Sequence, residues 1–298
     1  MRVLRWIAKG VAGLVALAVL AMCCVYALSQ WKLTRQGAPP TRAAITVSRD
    51  SATLARGHTL TQTYGCQDCH TENLSGKVMA DDPAFGRLVS SNLTSGAGGK
   101  LSHYSDAALD AAIRDGVSWD GRKLVIMPSI EYAGMADDDI AAIIANLRSR
   151  PAVDRELPVT ALGPVGRGLI ATGVIPIAYN VIDHSRATRS RAPTGGTVEQ
   201  GRYLAAGCVG CHANDYGGGP IPGARKGAKP SANITPSGNV AKWSQAEFVA
   251  AFRSGVRPDG TQIDVTMPWQ AMGKMSDEEL QAVYLYLKTL PPKVVETK

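Results

Sequence analysis

The chain carries one pattern twice, so any fold it adopts has to place two copies of one unit. Cys66-Gln67-Asp68-Cys69-His70 is matched by Cys208-Val209-Gly210-Cys211-His212. Behind it, Ser91-Asn92-Leu93-Thr94 is matched by Ala232-Asn233-Ile234-Thr235. Arg114-Asp115-Gly116-Val117 with Asp120-Gly121 then matches Arg253-Ser254-Gly255-Val256 with Asp259-Gly260, and Met127-Pro128 matches Met267-Pro268. Each copy closes on a helical pattern with apolar residues at i, i+3, i+4 and i+7: Ile140, Ile143, Ile144 and Leu147, then Leu280, Val283, Tyr284 and Leu287. Ser276 with Glu279 reads as a capping box opening the second of these helices, and Pro291-Pro292 ends it. The offset between copies drifts only from 142 to 139 residues, which marks a duplicated domain.

A length of 298 residues suits two compact domains, and 45% hydrophobic against 19% charged residues excludes a disordered chain. With three Phe in the whole sequence, the interior must be filled by small aliphatics or by a group the sequence does not encode. The net charge of +7 is not a property of the duplicated units. Residues 1–50 hold +6, residues 51–150 hold −3, and residues 151–194 and 195–298 hold +2 each. No unit has a basic face of the kind that binds nucleic acid, so nucleic acid is excluded as a partner.

The basic excess flanks an apolar run. Val11–Leu28 contains 18 residues without a charge, preceded by Arg2, Arg5 and Lys9 and followed by Lys32 and Arg35. That length crosses a bilayer as a helix, and Trp6 and Trp31 stand where interfacial aromatics belong. The competing reading is a cleavable signal peptide ending at Val25-Tyr26-Ala27, but the run is long for one and continues into Trp31-Lys32. Cys23 follows Met22, where a lipoprotein signal wants a small residue. The expected organisation is therefore a membrane anchor at 1–32, a tether at 33–50, a first domain at 51–150, a linker at 151–194 and a second domain at 195–298. Within the linker, the apolar stretch 168–182 is broken by Pro176 and is too short to span. It reads as a linker packed across the two domains, or else as a segment docking on the membrane surface or on a partner subunit.

Cys-x-x-Cys-His is the attachment signature of c-type haem: two thiols add to the two vinyl groups and the adjacent imidazole ligates iron. Here it occurs twice in one frame, each time followed 55–57 residues after the His by Met-Pro. A four-thiolate zinc site would leave both histidines idle. A thioredoxin-like motif needs a βαβ context, and a disulfide within each pair leaves the His and Met pattern unexplained. The residues thus point to two covalently bound haem c groups, held by Cys66, Cys69 and His70 and by Cys208, Cys211 and His212. Met127 and Met267, extended before Pro, are the expected sixth ligands. Met135 and Met275 also align, but lie where helix packing accounts for them. Haem attachment places the bulk of the chain outside the cytoplasm, in a single-pass arrangement on the periplasmic side of a bacterial inner membrane.

His58, His103 and His184 read as solvated surface residues. Arg114 and Arg253 are candidate haem-propionate partners, the alternative being ordinary surface charge. Trp243, matched by Tyr104, either donates a hydrogen bond near a propionate or packs in the core.

These motifs together, with the closing Leu-Pro-Pro, resemble the class I cytochrome c modules of membrane-bound bacterial dehydrogenase cytochrome subunits, which serve alcohol, aldehyde and sugar-acid (gluconate) dehydrogenases. The resemblance covers roughly residues 51–150 and 195–292; many members of that group carry three modules, and this chain has two. It implies an all-α fold: two tandem class I cytochrome c domains behind a transmembrane helix. The expected function is single-electron relay, without catalysis by the chain itself. Electrons would pass from a periplasmic dehydrogenase catalytic subunit to quinone, another cytochrome or a terminal oxidase. Two other readings stay open: a cytochrome subunit of an oxidase or reductase complex, and a dihaem peroxidase-type or sulfur-compound oxidoreductase with one open iron.

Overall fold

The computed structural model describes residues 2–221 and 227–293. The last five residues of the expected second domain, and residues 222–226 within it, lie outside the described residues.

The apolar run is part of one long helix, α1 (Arg2–Thr34). It is the one helix among the described residues long and apolar enough to cross a membrane, and its apolar window is wholly unburied by the rest of the chain. At ~1.5 Å per residue its 33 residues reach well past a hydrocarbon core of ~30 Å. Residues 35–50 form no regular element, yet they are tied down. Gly37 N–H donates to Gly121 O (3.0 Å), and Arg42 makes a two-pronged ion pair with the buried Asp115 (2.5 and 2.8 Å). Ile45 and Val47 pack on the first core.

The first unit follows as α2 (Ser51–Thr63), α3 (Cys66–His70), strands β1 (Lys77–Asp82) and β2 (Gly86–Ser90), α4 (Asp106–Asp115), α5 (Ser129–Tyr132) and α6 (Asp137–Ser149). The linker supplies β3 (Ala161–Leu162), α7 (Pro164–Thr172) and α8 (Ala178–Val181). The second unit repeats the helices as α9 (Val198–Leu204), α10 (Val209–His212), α11 (Gln245–Ser254), α12 (Trp269–Met272) and α13 (Asp277–Thr289).

Local chemistry explains the repetition. Ser105 and Ser244 cap α4 and α11, and both helices end on a left-handed glycine, Gly116 (φ 68°) and Gly255 (φ 71°). Pro128 and Pro268 open the short turns that follow Met127 and Met267. The closing helices are 13 residues each, with three acids in the first turn that complement the helix dipole. Both parts of the Ser276–Glu279 capping box form, and Ser244 with Glu247 forms a second one that the same pattern would have found. Ile140, Ile143, Ile144 and Leu147 are buried in one core cluster, and Leu280, Val283 and Leu287 in another; Tyr284 is half-buried against the second. Met135 and Met275 are core residues.

In each unit the opening and closing helices cross at glycine. A Cβ on Gly57 would run into the carbonyl of Ala142, and one on Gly201 into the carbonyl of Ala282. Backbone meets backbone there, which leaves no room for a side chain.

The expectation of an all-α chain needs correcting in one place. The chain is helix-rich, but β1, β2 and β3 form a three-stranded antiparallel sheet, with Lys77 opposite Ser90, Asp82 opposite Gly86 and Gly86 opposite Leu162. The Asp82 carboxylate closes the hairpin by accepting from the backbone N–H of Ala84 and Phe85 (2.9 and 2.7 Å). β1 is largely exposed and shows no alternation, and β3 is two residues from a distant part of the chain, so neither leaves a periodic signal.

Candidate haem-attachment sites

Both Cys-x-x-Cys-His segments form one tight helical turn, α3 in the first unit and Ala205–Cys208 running into α10 in the second. After the histidine the chain turns sharply through left-handed residues that are not glycine: Thr71 (φ 70°) and Leu74 (φ 61°), then Ala213 (φ 61°) and Tyr216 (φ 58°). Each such residue costs roughly 1–2 kcal/mol of backbone strain, so surrounding bonds must impose it. The histidine carbonyls accept from Gly76 N–H (2.8 Å) and Gly218 N–H (3.0 Å). The Leu74 and Tyr216 carbonyls accept from Leu93 N–H (2.8 Å) and Ile234 N–H (3.0 Å). Ser90 and Ser231 donate their hydroxyls to the carbonyls of Cys69 and Cys211, both at 2.6 Å.

That docking fixes the imidazoles. His70 Nδ1 lies 2.7 Å from Ser91 O, and His212 Nδ1 lies 2.7 Å from Ala232 O. A carbonyl only accepts, so Nδ1 carries the proton in both rings and Nε2 keeps its lone pair. Burial lowers the pKa of both histidines against the opposing pull of these bonds, which keeps the rings neutral. Neutral imidazole with an oriented, available Nε2 is what a haem iron needs from its proximal ligand.

The four motif cysteines are free thiols; no disulfide joins either pair. Burial pushes Cys66 and Cys208 up to about 12, and burial raises Cys69 and Cys211 as well. The residues present therefore fit covalent haem, with two unoxidised thiols beside one tautomer-locked histidine in each motif. Met127 packs on the first core cluster, and Met267 shares the second cluster with Cys208 and Val209. The carbonyls of Met127 and Met267 each accept from the N–H two residues on at 2.8 Å, so both methionines sit in the same turn.

The two arginines differ in burial, Arg253 being exposed, but make matching bonds. Arg114 is fully buried and donates to Asp110, to Met135 O (3.2 Å) and to Asp137 (2.7 Å). Arg253 donates to Gly273 O, Met275 O (2.8 Å) and Asp277 (2.5 Å). Each arginine fastens the end of the methionine loop to the start of the closing helix. Asn92 and Asn233 accept from Thr94 and Thr235, and tie their loops to the chain leaving the closing helix through Val153 O (2.8 Å) and Lys293 O (2.7 Å). Tyr104 packs on the first core with its hydroxyl 2.9 Å from Ser118 Oγ, and Trp243 packs on the second.

His58 is exposed beside Arg150 (3.1 Å), and His103 stacks on Trp119. His184 departs from the surface reading: it is half-buried, with Nδ1 3.1 Å from Asp115 and Nε2 2.8 Å from Tyr179 O.

Two features at the junction of the units were not read from the sequence. Glu131 follows the Met127-Pro128 turn of the first unit and reaches the second motif, where a Cβ on Gly210 would stand 2.5 Å from its carboxylate. Burial raises the Glu131 pKa. Its counterpart in the other copy is Ala271, and that mismatch was the available signal. Second, Arg56 joins the matching acids of the two closing helices, Asp139 (2.9 Å) and Glu279. Tyr203 from the second unit donates to Asp139 (2.8 Å) and accepts from Ala136 N–H (3.0 Å). A cavity of about 580 Å³ between the units is lined by Tyr64, Glu131, Met135, Tyr203 and Val209 among others.

Paired thiols beside an oriented neutral histidine, followed by a Met-Pro turn and a crossing helix, recur in both units. Residues 198–291 match the cytochrome c family model, so this part of the chain is a cytochrome c domain. Over 85% of its length the chain is similar to the cytochrome c subunit of alcohol dehydrogenase (quinone) from Gluconacetobacter polyoxogenes, at 25% identity and over 59% of that protein. The corresponding subunit of Gluconobacter oxydans is 26% identical over 84% of this chain and 57% of its own. The fructose dehydrogenase cytochrome subunit of Gluconobacter japonicus is 33% identical over 31% of this chain and 21% of its own length. The chain thus spans between about a fifth and three fifths of the length of these relatives.

Proposed function

We propose that the chain is a dihaem c-type cytochrome that relays single electrons from a dehydrogenase catalytic subunit to the respiratory chain, anchored by α1 with its haem units on the periplasmic side of a bacterial inner membrane. The observation that carries this reading is the duplicated geometry of the two motifs: free thiols, the same strained turn, and the same bond from Nδ1 to a backbone carbonyl at 2.7 Å. Each haem c, once attached, supplies a one-electron couple at its iron.

The chain's own residues set the conditions for that couple. Cys66, Cys69, Cys208 and Cys211 make the covalent links. His70 and His212 would ligate the iron through Nε2, their rings fixed by Ser91 and Ala232. Met127 and Met267 would supply thioether ligands, which raise the reduction potential and would leave the iron no open position for substrate. The surrounding apolar clusters keep water away and limit reorganisation when charge changes. The resemblance to alcohol and fructose dehydrogenase cytochrome subunits supports a dehydrogenase as donor; the acceptor in this reading is quinone, a cytochrome or an oxidase. A membrane tether holds the relay beside its partners and raises their effective concentration.

Carbon monoxide binding to the fully reduced protein, read against pyridine haemochrome content, tests this reading. Two haems per chain and no adduct is the expected result. One haem per chain overturns the dihaem reading, and an adduct on the unmodified protein turns the assignment toward an enzyme with an open iron.

A further inference from the structure

The linker does something at the membrane end of the molecule. Helix α7 packs along the last turns of α1, where Ser29 is fully buried. Arg167 donates to Ser29 Oγ and Gln30 Oε1 (both 3.1 Å) and lies over the Tyr26 ring at 4.2 Å. The contact thus runs from Tyr26 to Lys32, across the level where a span beginning near Val11 leaves the hydrocarbon after ~20 residues.

The end of α7 is finished in a way that water does not require. Three of its last four carbonyls, those of Leu169, Ile170 and Ala171, have protein partners, as does that of Gly168 one position earlier. Gly168 O accepts from the Thr172 hydroxyl (2.8 Å), and Leu169 O accepts from Ile175 N–H (3.1 Å) and from the same hydroxyl (3.2 Å). Ile170 O accepts from Gly173 N–H (3.2 Å) and Lys32 Nζ (3.2 Å), and Ala171 O accepts from Lys32 Nζ (2.8 Å). On an aqueous surface, solvent satisfies such groups at no cost; in a layer poor in water each must be met internally. Meanwhile Val165, at the start of the helix, is 50% exposed, and Val174, just past its end, is 68% exposed. Backbone carbonyls at this end are met by protein while two valines face outward.

We propose that α7 and the turn that follows it lie in the headgroup layer of the bilayer that α1 crosses, a second membrane contact that holds the first unit at a fixed attitude to the lipid. This rests on the reading of α1 as a membrane span. Lys32 and Arg167 run their alkyl stems along the two helices and bring their charged ends to the level of the lipid phosphates.

Nitroxide labels test it in the full-length holoprotein, with Cys23 and Cys24 replaced by Ser and the haem-bound cysteines unreactive. Four variants, Val15→Cys, Val165→Cys, Val174→Cys and Val265→Cys, are reconstituted into phosphatidylethanolamine–phosphatidylglycerol vesicles. Accessibility to oxygen and to a water-soluble nickel chelate is then compared, with unchanged haem content as the check on folding. Val265 is 78% exposed in the second unit and serves as the aqueous reference. The expected result is a several-fold higher oxygen-to-nickel ratio at 15, and at 165 or 174 or both, than at 265. A shielded 15 with 165 and 174 both as nickel-accessible as 265 overturns the second contact alone. An accessible 15 overturns the span, and the inference with it.

Discussion

At the residue scale, the positions that matter are those where one atom has a single permitted use. Met127 and Met267 offer one thioether each, so Met127→Ala is expected to open one iron per chain to carbon monoxide and to lower the potential of that haem, with the other unchanged. Optical titration with and without the gas checks both. Gly57 and Gly201 are constrained by space rather than by φ: an added methyl meets a backbone carbonyl of the crossing helix. Gly201→Ala is expected to cost about 1–3 kcal/mol, the range for overpacking a tight contact, whereas Gly134→Ala, whose Cβ meets nothing within 4 Å, is expected to be tolerated. Chemical denaturation of the two holoprotein variants gives the comparison.

At the scale of elements, the segment between α1 and α2 has its closest ion-pair tie at one buried carboxylate. Asp115 takes Arg42, His184 and Arg186 at its two oxygens. Burial alone would raise its pKa; the hydrogen bond and charge of Arg42 outweigh that, and the net direction is down. A lowered folded pKa means the carboxylate contributes stability that is fully present above its unfolded value of about 3.9 and lost as pH falls through the folded value. Asp115→Asn is therefore expected to destabilise by about 2–4 kcal/mol near neutral pH, because it leaves the half-buried Arg42 and Arg186 without their carboxylate, and to flatten the loss of stability below about pH 4. Denaturation midpoints across that range show whether the slope depends on this group.

At the scale of the whole molecule, the two units meet where their closing helices begin. Arg56 serves Asp139 and Glu279, which are equivalent positions in the two copies, while its own counterpart in the second copy is Gln200. A duplicated pair of surfaces is thus joined by a residue present in one copy. Arg56→Ala leaves Asp139 nearly buried without its cation and is expected to cost about 2–3 kcal/mol, with discounting for the partial exposure of Arg56. Its more specific signature is two calorimetric transitions where one is expected of the unaltered protein, since Arg56 ion-pairs with an acid of each unit. A single transition at lower temperature would mean that Tyr203 and the linker suffice to couple them.

The sequence by itself determined what is built within a few residues or copied in register. The Cys-x-x-Cys-His motifs, the methionines before proline and the amphipathic closing helices are written in short-range chemistry and in the duplication that doubles each signal, and the apolar helix in composition alone. Tertiary structure decided what depends on residues far apart in the chain. Arg56 and Glu279 are 223 positions apart, β3 pairs with a hairpin whose strand it follows at a distance, and α7 finds α1 through bonds spanning more than 130 residues. The Ser91 and Ala232 carbonyls that lock the two histidines stand 21 and 20 residues on, beyond any periodicity. Such partners are selected by the packing of whole elements, and a pattern read along the chain carries no term for which surfaces meet.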